Sequence, residues 1–491
     1  MADAQNVMHQ SPYDVATVPV APARLVQISR APRPTDKKAW LPSRFNARSM
    51  SPDGRLVIWN SMTGSMTAFE PEQVSLVEDL LSSQKGFRAP DRGIVSYLKE
   101  RGYLVPHGTN ERHRLQYVFG RQQYRTDILA LILLTSEDCN FRCVYCYEDF
   151  ARGTMRPEVR EGIKALVEKR KSSIRDLSIA YFGGEPLYGF EAIEDLAPFF
   201  KKTADENGLN MSNHMTTNGY LLTPETAGKV LSWGIRDFQI TLDGPAEFHN
   251  KKRKGRDGSG TFDTIFDNLK ELKKRRDEEF KVTLRVNYDR ENAHALPELV
   301  RMVGADFGGD ERFQMSFHAV GQWGGDNDAN LNVCGLDEEK QTRKEMNSQA
   351  IEAGFDTRGL AEMVRPGAAV CYAARPFNFV IGAEGQVMKC TVVLDKEDYN
   401  VVGRIDRTGD LHLDMDKMSL WTEPAFENDS GCAKCHFVPV CQGMHCPKVR
   451  IEEHQRPCPP QKRTLQSSIL ETYEMRKKGK QPRLVTAAAA E

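Results

Sequence analysis

Three things are scarce in this chain of 491 residues: net charge, long apolar runs and, in its first quarter, cysteine. Lys and Arg number 67 and Asp and Glu 68, so the bulk basic charge typical of nucleic-acid-binding proteins is missing, and we expect no nucleic-acid partner. The longest apolar run, residues 128–134, is far too short to cross a membrane, so we expect no membrane association. The N-terminus lacks the apolar core of a secretory signal, which predicts a cytoplasmic protein.

Cysteine is absent before Cys139, yet the chain has 11 of them. Disulfides do not persist in a reducing cytoplasm, so this number favours metal or iron–sulfur ligation. Cys334 stands alone between a central triplet and a cysteine-rich end. The triplet is Cys139, Cys143 and Cys146, and the end holds Cys371, Cys390, Cys432, Cys435, Cys441, Cys446 and Cys458.

The cysteine-free first quarter divides into two segments. Residues 1–43 carry six prolines and little apolar periodicity, which predicts a disordered leader. Residues 44–120 combine strand and helix patterns, with strands predicted at 56–59 and 66–69 and helices at 74–81 and 94–99. This pattern suits a small winged-helix-like module, and a structural cap on the rest of the chain is the alternative.

From residue 128 onward, apolar strands alternate with helices. Strands are predicted at 128–134, 177–182, 211–216, 238–242, 282–287 and 313–320, and helices at 156–170, 190–204, 223–233, 262–274 and 295–303. Six strands with intervening helices predict an α/β fold, a parallel sheet wrapped into a partial or full barrel. In such folds the chemistry lies at the carboxyl ends of the strands.

The cysteine triplet has the spacing C-x3-C-x2-C just after the first of these strands. Three thiolates can bind three irons of a [4Fe–4S] cluster and leave the fourth iron free for a cofactor or substrate. A structural zinc site is one alternative, but it needs a fourth nearby ligand, and no Cys or His follows Cys146 until His214. The other alternative is that the three cysteines have no common ligand and are simply buried in the core.

The triplet, with Tyr145 before its third cysteine, resembles the radical S-adenosylmethionine (AdoMet) superfamily. The segment Gly183-Gly184-Glu185-Pro186, at the end of the second strand, resembles that family's second motif. The resemblance implies a partial (β/α)6 barrel at 121–335. It also implies AdoMet bound through its amino and carboxylate groups to the free iron, and release of a 5′-deoxyadenosyl radical on reduction.

Further AdoMet contacts follow from the same resemblance. Tyr145 would lie near the adenine, unless it merely packs under the loop, and Gly183 and Gly184 would let the backbone approach the ligand closely. The segment Thr241-Leu242-Asp243-Gly244-Pro245 resembles the family's S-x-D-G-P, with Thr241 in place of Ser. Arg253, after His249, would pair with the AdoMet carboxylate. The predicted cofactor-binding residues are Tyr145, Gly183, Gly184, Glu185, Thr241 and Arg253.

The basic run around Arg253 has a plainer interpretation as a solvated loop. We expect that interpretation to hold for Lys251, Lys252 and Lys254.

The last cysteines resemble the SPASM extension of radical AdoMet enzymes, here at 371–470 between a linker helix at 336–370 and a tail at 471–491. The resemblance implies two auxiliary [4Fe–4S] clusters, although the gap between Cys441 and Cys446 is one residue longer than usual. The first would be held by Cys371, Cys390 and Cys446, and the second by Cys432, Cys435, Cys441 and Cys458. The first is left open unless a residue such as Cys334 closes it. Zinc ribbons are the alternative.

The resemblance implies a maturase that oxidises or crosslinks side chains of a ribosomally synthesised peptide or partner protein, with a reducing donor such as flavodoxin or ferredoxin. The sulfatase-maturing branch carries an Asp base directly after its second SPASM cysteine, whereas Thr391 follows Cys390 here. No catalytic residue is assigned. The alternatives are a sulfatase-type or thioether-forming protein maturase acting without a leader peptide, and a non-enzymatic iron–sulfur electron carrier or zinc-binding interaction protein.

Overall fold

The computed structural model describes residues 39–477 except 90, 277, 356–364 and 424–427. Its N-terminal part contains two small antiparallel sheets and three helices. The strands are β1 Ala39–Pro42, β2 Asn46–Met50, β3 Leu56–Asn60, β4 Met66–Phe69, β5 Phe87–Arg88 and β6 Leu104–Pro106, and the helices are α1 Pro71–Ser82, α2 Gly93–Glu100 and α3 Glu111–Gln123. The sheet orders are β2-β3-β4 and β5-β1-β6.

The predicted strand pair at 56–59 and 66–69 is confirmed as the antiparallel pair β3 and β4. The predicted end of the leader is wrong for residues 39–42, which form β1. Trp40 pairs with both Phe87 and Pro106, and its side chain is buried, so this stretch is held by a sheet on both sides. The rest of the predicted leader, residues 1–38, lies outside the described residues. A winged-helix peptide-recognition module at 44–120 stays a prediction.

The central region is the predicted α/β alternation. Its strands are β7 Ile128–Ser136, β8 Phe141–Cys143, β9 Asp176–Gly183, β10 Asn210–Thr217, β11 Asp237–Thr241, β12 Arg253–Gly255, β13 Lys281–Tyr288 and β14 Phe313–Ala319. Its helices are α4 Pro157–Arg170, α5 Phe190–Asn207, α6 Pro224–Ser232, α7 Ala246–Lys252, α8 Phe262–Lys273, α9 Leu296–Phe307 and α10 Leu336–Glu352.

Six parallel strands stand side by side in chain order: β7, β9, β10, β11, β13 and β14. Leu129, Leu131 and Leu133 are almost fully buried, whereas the alternate residues of β7 at 128, 130 and 132 are only partly buried. A strand with one face packed in an apolar core shows this period of two. The sheet therefore has a helix-covered apolar face and a more open inner face.

The C-terminal region continues this sheet. Its strands are β15 Asn378–Ile381, β16 Gln386–Met388, β17 Val401–Ile405 and β18 Leu411–Leu413, and its helices are α11 Met415–Thr422, α12 Ser430–Ala433, α13 Val438–Cys441, α14 Pro447–Glu453, α15 Pro460–Arg463 and α16 Leu465–Lys477. Strand β15 pairs in parallel with β7, and β16 to β18 follow as antiparallel neighbours. The predicted tail from 471 is wrong for residues 471–477, which belong to α16. Its Ile469 and Tyr473 are buried in an apolar cluster.

That cluster joins the two ends of the chain. The Trp59 side chain in β3 is fully buried, and its ring centroid lies 5.8 Å from that of Phe437, between two C-terminal cysteines. Val57 and Ala68 lie in the same cluster. One face of the N-terminal sheet therefore covers the cysteine-rich region. No helix in the described part of the chain is long and apolar enough to cross a membrane.

Replacing Trp59 by Ala should destabilise the fold by about 3–5 kcal/mol, because a large buried ring is removed and a cavity remains. Denaturant unfolding of the purified protein would measure this loss. Tyr117→Ala is the matched control, since that ring is 64% exposed, and it should change stability little. Equal stability of the two variants would contradict the packing described.

Candidate active site

The cysteine triplet lies on the loop that leaves β7, and a short ribbon fixes that loop. Strand β8 pairs antiparallel with β12, so Cys143 stands opposite Arg253. The backbone N–H of Val144 also donates to the Lys252 carbonyl at 2.9 Å. The pairing brings the basic residue predicted from sequence directly to the cysteine loop.

Arg253 is a buried cation with an unused donor. Its Nη1 donates to the Tyr145 hydroxyl at 2.8 Å, while its buried Nε has no hydrogen-bond partner among the described residues. Burial opposes the charge of Arg253, but the nearby Cys143, Tyr145 and Asp243 side chains hold its pKa well above the ordinary value. A buried guanidinium N–H without an acceptor is costly, so this geometry suits an anionic ligand.

The Tyr145 hydroxyl is held from several sides. It donates to the Asp243 carboxylate and also accepts from the Asn287 side-chain amide at 3.2 Å. The Asn287 backbone N–H in turn donates to Asp243 at 2.9 Å. Burial raises the pKa of Tyr145, which therefore stays protonated. Asn287 is not predictable as a site residue from sequence, because a lone Asn in a strand carries no motif.

His249 fixes the backbone around Arg253. Its Nδ1 accepts from the Asp243 backbone N–H at 3.2 Å, so its proton is on Nε2, 3.1 Å from the Thr261 hydroxyl oxygen. That hydroxyl donates to the Arg253 carbonyl at 2.6 Å. Burial, and then the Arg253 charge, lowers the pKa of His249 well below its ordinary value. The imidazole of His249 is therefore neutral, and through Thr261 it fixes the backbone at Arg253.

The two glycines after β9 are needed for close packing of the chain on itself. A side chain at Gly183, where φ is +116°, would overlap the Ser136 carbonyl, and one at Gly184 would come within 2.7 Å of the Asp138 carbonyl oxygen. Both glycines therefore pack against the chain at the end of β7 and just after it, where a side chain would not fit. Contact of Gly183 and Gly184 with AdoMet stays a prediction.

Glu185 is fully buried, and its carboxylate accepts hydrogen bonds from neighbouring groups of the protein. It accepts from the Thr217 hydroxyl and the Asn218 backbone N–H, each at 2.6 Å, and from Leu187 N–H at 3.0 Å. Thr241 ends β11 beside Arg285 of β13. AdoMet contacts by Glu185 and Thr241 stay predictions.

The lysines beside Arg253 differ from one another. Lys251 and Lys254 are exposed as expected, but Lys252 is buried, and its ammonium lies 2.5 Å from the Asp289 carboxylate. The predicted solvated loop is therefore wrong for Lys252. The ribbon turns one lysine of the run inward, and a buried acid compensates its charge.

The three cysteines of the triplet suit an iron–sulfur cluster in which each thiolate binds a different iron. Cys139 is buried, Cys143 and Cys146 are partly buried, and burial raises the pKa of Cys146 to about 12. The thiolates would thus form on iron binding. No three Cys, His, Asp or Glu side chains in the described ranges are grouped as ligands of one metal ion. In a [4Fe–4S] cluster each thiolate binds its own iron, so such convergence is not needed.

The C-terminal cysteines fall into the two predicted sets. Burial raises the pKa of Cys371 to about 12, and the nearby thiols of Cys390 and Cys446 add to this effect. Burial likewise raises the pKa of Cys441 to about 12, and its neighbours are the other three thiols: Cys432, Cys435 and Cys458. These neighbourhoods match the ligand sets implied by the resemblance, although cluster binding at both stays a prediction.

Cys334 lies elsewhere. The charged groups around its thiol are Glu338, Asp289 and Arg290, near the start of α10. This position gives no support to Cys334 as the fourth ligand of the first set.

The region of the chain that contains this site matches a known protein family. Residues 133–303 match the Radical SAM superfamily, so the chain contains a radical SAM domain. The radical SAM cyclopropyl synthase TigE of Paramaledivibacter caminithermalis is 26% identical over 200 residues, covering 37% of this chain and 41% of that protein. A cysteine-type anaerobic sulfatase-maturating enzyme of Clostridium perfringens is 34% identical over 144 residues, covering 28% and 38%.

The chain thus matches about two fifths of the length of these relatives. The solved structure of native anSMEcpe with bound AdoMet has a TM-score of 0.55 at 19% identity, and the alignment covers 74% of this chain and 100% of that one. The shared feature is the fold: the predicted radical SAM α/β fold is confirmed.

Arg253→Gln should weaken AdoMet binding about tenfold or more, because a charge-assisted hydrogen bond is worth about 1.5–3 kcal/mol. Equilibrium dialysis with labelled AdoMet measures this. Lys254→Gln is the control, since it removes the same charge from the exposed neighbouring position. Equal affinities of the two variants would show that Arg253 does not bind the cofactor.

Cys143→Ala should abolish reductive cleavage of AdoMet to 5′-deoxyadenosine by the anaerobically reconstituted protein with dithionite. The loss is expected because one iron of the cluster would have no protein ligand. The control is Cys334→Ala, which removes the isolated cysteine. This variant should cleave AdoMet as the wild type does. Continued cleavage by the Cys143 variant would refute the ligand assignment.

Proposed function

We propose that this chain is a radical AdoMet maturase of the SPASM type, which oxidatively modifies or crosslinks side chains of a ribosomally synthesised peptide. The observation that carries the proposal is the buried Arg253, held against the three-cysteine loop, whose Nε has no hydrogen-bond partner among the described residues. An electron carrier or a zinc-binding protein has no use for such an anion site. Cys139, Cys143 and Cys146 would hold the cluster.

A reduced cluster with bound AdoMet supplies a 5′-deoxyadenosyl radical that abstracts hydrogen. The residues of this chain orient that chemistry. Arg253 holds the carboxylate end of the cofactor, and His249 and Thr261 fix the backbone that carries Arg253. Tyr145, Asp243 and Asn287 form a closed set of hydrogen bonds beside it. Such an arrangement holds its geometry without reorganising during the reaction.

The environment of Thr391 supports a reaction other than formylglycine formation. The Thr391 hydroxyl oxygen lies 2.8 Å from the Tyr372 hydroxyl oxygen, and the Thr391 backbone N–H donates to the same phenol at 2.9 Å. Burial raises the pKa of Tyr372. Two neutral hydroxyls therefore stand where the sulfatase-maturing branch has a carboxylate base, and neither takes a proton readily.

The proposed substrate class rests on two further features. The relatives include a cyclopropyl synthase and a sulfatase-maturating enzyme. The N-terminal sheet is built against the cysteine-rich region, so a peptide docked on the 44–120 segment would be close to the C-terminal thiols. Docking would raise the effective concentration of the modified segment. A flavodoxin or ferredoxin would supply electrons.

The test is mass spectrometry of a candidate precursor peptide co-expressed with the full-length enzyme. We expect a mass loss that reports oxidation, and its absence when the same peptide is supplied without its leader. Deleting the leader is a cleaner change than truncating the enzyme, because removing β3 and β4 would uncover Phe437 and α16. Equal modification of both peptides would contradict leader docking, while AdoMet cleavage without any peptide change would contradict the substrate class.

A further inference from the structure

Two cationic side chains contact thiols of the second C-terminal set. The Lys462 ammonium in α15 donates to Cys458 Sγ at 3.4 Å, and the Arg450 guanidinium in α14 donates to Cys432 Sγ at 3.6 Å. Both distances are within the range for hydrogen bonds to sulfur. Two of the four predicted ligands of this set therefore carry a charged donor.

The other charges around this set partly compensate one another. Asp429 lies near Cys432, but its carboxylate pairs with Arg456 at 2.7 Å and with Arg450 at 3.5 Å. Its Oδ1 also accepts the backbone N–H groups of Gly431 and Cys432. Around the Cys432 and Cys458 thiols, the cations Arg450, Arg456 and Lys462 therefore outnumber the Asp429 carboxylate.

The first set has no such contact in the described part of the chain. Cys390 Sγ accepts from the Val392 backbone N–H at 3.4 Å. The nearby cation, Lys389, donates instead to the carbonyls of Arg375 and Asn378, at 2.7 and 2.6 Å. The two sets thus differ in the charge that touches sulfur.

We infer that Lys462 and Arg450 raise the reduction potential of the second auxiliary cluster above that of the first. This inference rests on the proposed function. Hydrogen bonds and positive charge at the ligand sulfurs stabilise the more negative, reduced form of a cluster.

The test is a redox titration of the reconstituted holoenzyme, followed by electron paramagnetic resonance, for wild type and Lys462→Gln. In the variant, the reduction potential of one auxiliary cluster should become more negative by about 59 mV. For a one-electron step this corresponds to a change of about tenfold in the reduction equilibrium. Lys434→Gln is the matched control. It removes the same charge from an exposed position between two ligands of this set, without a thiol contact, and should shift the potential less. Lys462→Arg keeps the positive charge, so its reduction potential should match that of the wild type.

The outcomes separate the inference from the proposed function. About twelve irons per chain with no greater shift for Lys462→Gln than for Lys434→Gln would overturn the inference alone. A second cluster that is harder to reduce than the first in the wild type would overturn it too. About four irons with stoichiometric zinc would overturn the auxiliary clusters and the inference together.

Discussion

The site depends on one interaction, the pairing of β8 with β12. This two-stranded ribbon places a buried guanidinium beside a loop of three cysteines, and no residue in the described part of the chain accepts a hydrogen bond from its Nε. A buried charge is tolerated only where partners compensate it. The Tyr145 phenol, the Asp243 carboxylate and the thiolates that iron binding would create provide that compensation. The ligand that completes the site is therefore expected to be an anion bound next to the cluster.

The second constraint is the continuity of the sheet. Because β15 pairs directly with β7, the C-terminal strands grow from the barrel edge. The N-terminal sheet then packs its Trp59 face against the region around Phe437. Three segments that the sequence separates are thus one packed body, and the predicted cluster sites have fixed relative positions.

Much of the barrel was predictable because its signals are local. Period-two burial marks the strands, and cysteine spacing marks the loop. The remaining features depend on contacts between distant segments. Trp40 lies in a proline-rich stretch, yet two strands from later in the chain enclose it. Lys252 belongs to a basic run, yet Asp289 pairs with it inside the protein.

The candidate site likewise contains residues that are predictable from local motifs and residues that are not. Arg253 and the triplet follow from motifs, whereas Asn287 and the hydrogen-bonding chain through Thr261 do not. Gly183 and Gly184 were recognisable as a motif, but their close contacts with the Ser136 and Asp138 carbonyls became visible only in the fold. Local pattern identifies the residues predicted to bind a cofactor, and tertiary structure identifies those that hold them in place.

The central claim is that AdoMet binds the triplet's cluster through its amino and carboxylate groups, with Arg253 at the carboxylate. The most direct measurement is electron–nuclear double resonance of the reduced protein with AdoMet labelled at the amino nitrogen and the carboxylate. The account predicts hyperfine coupling of both labels to the cluster. A reduced cluster that shows no coupling to either label, with a resonance unchanged by AdoMet, would contradict it.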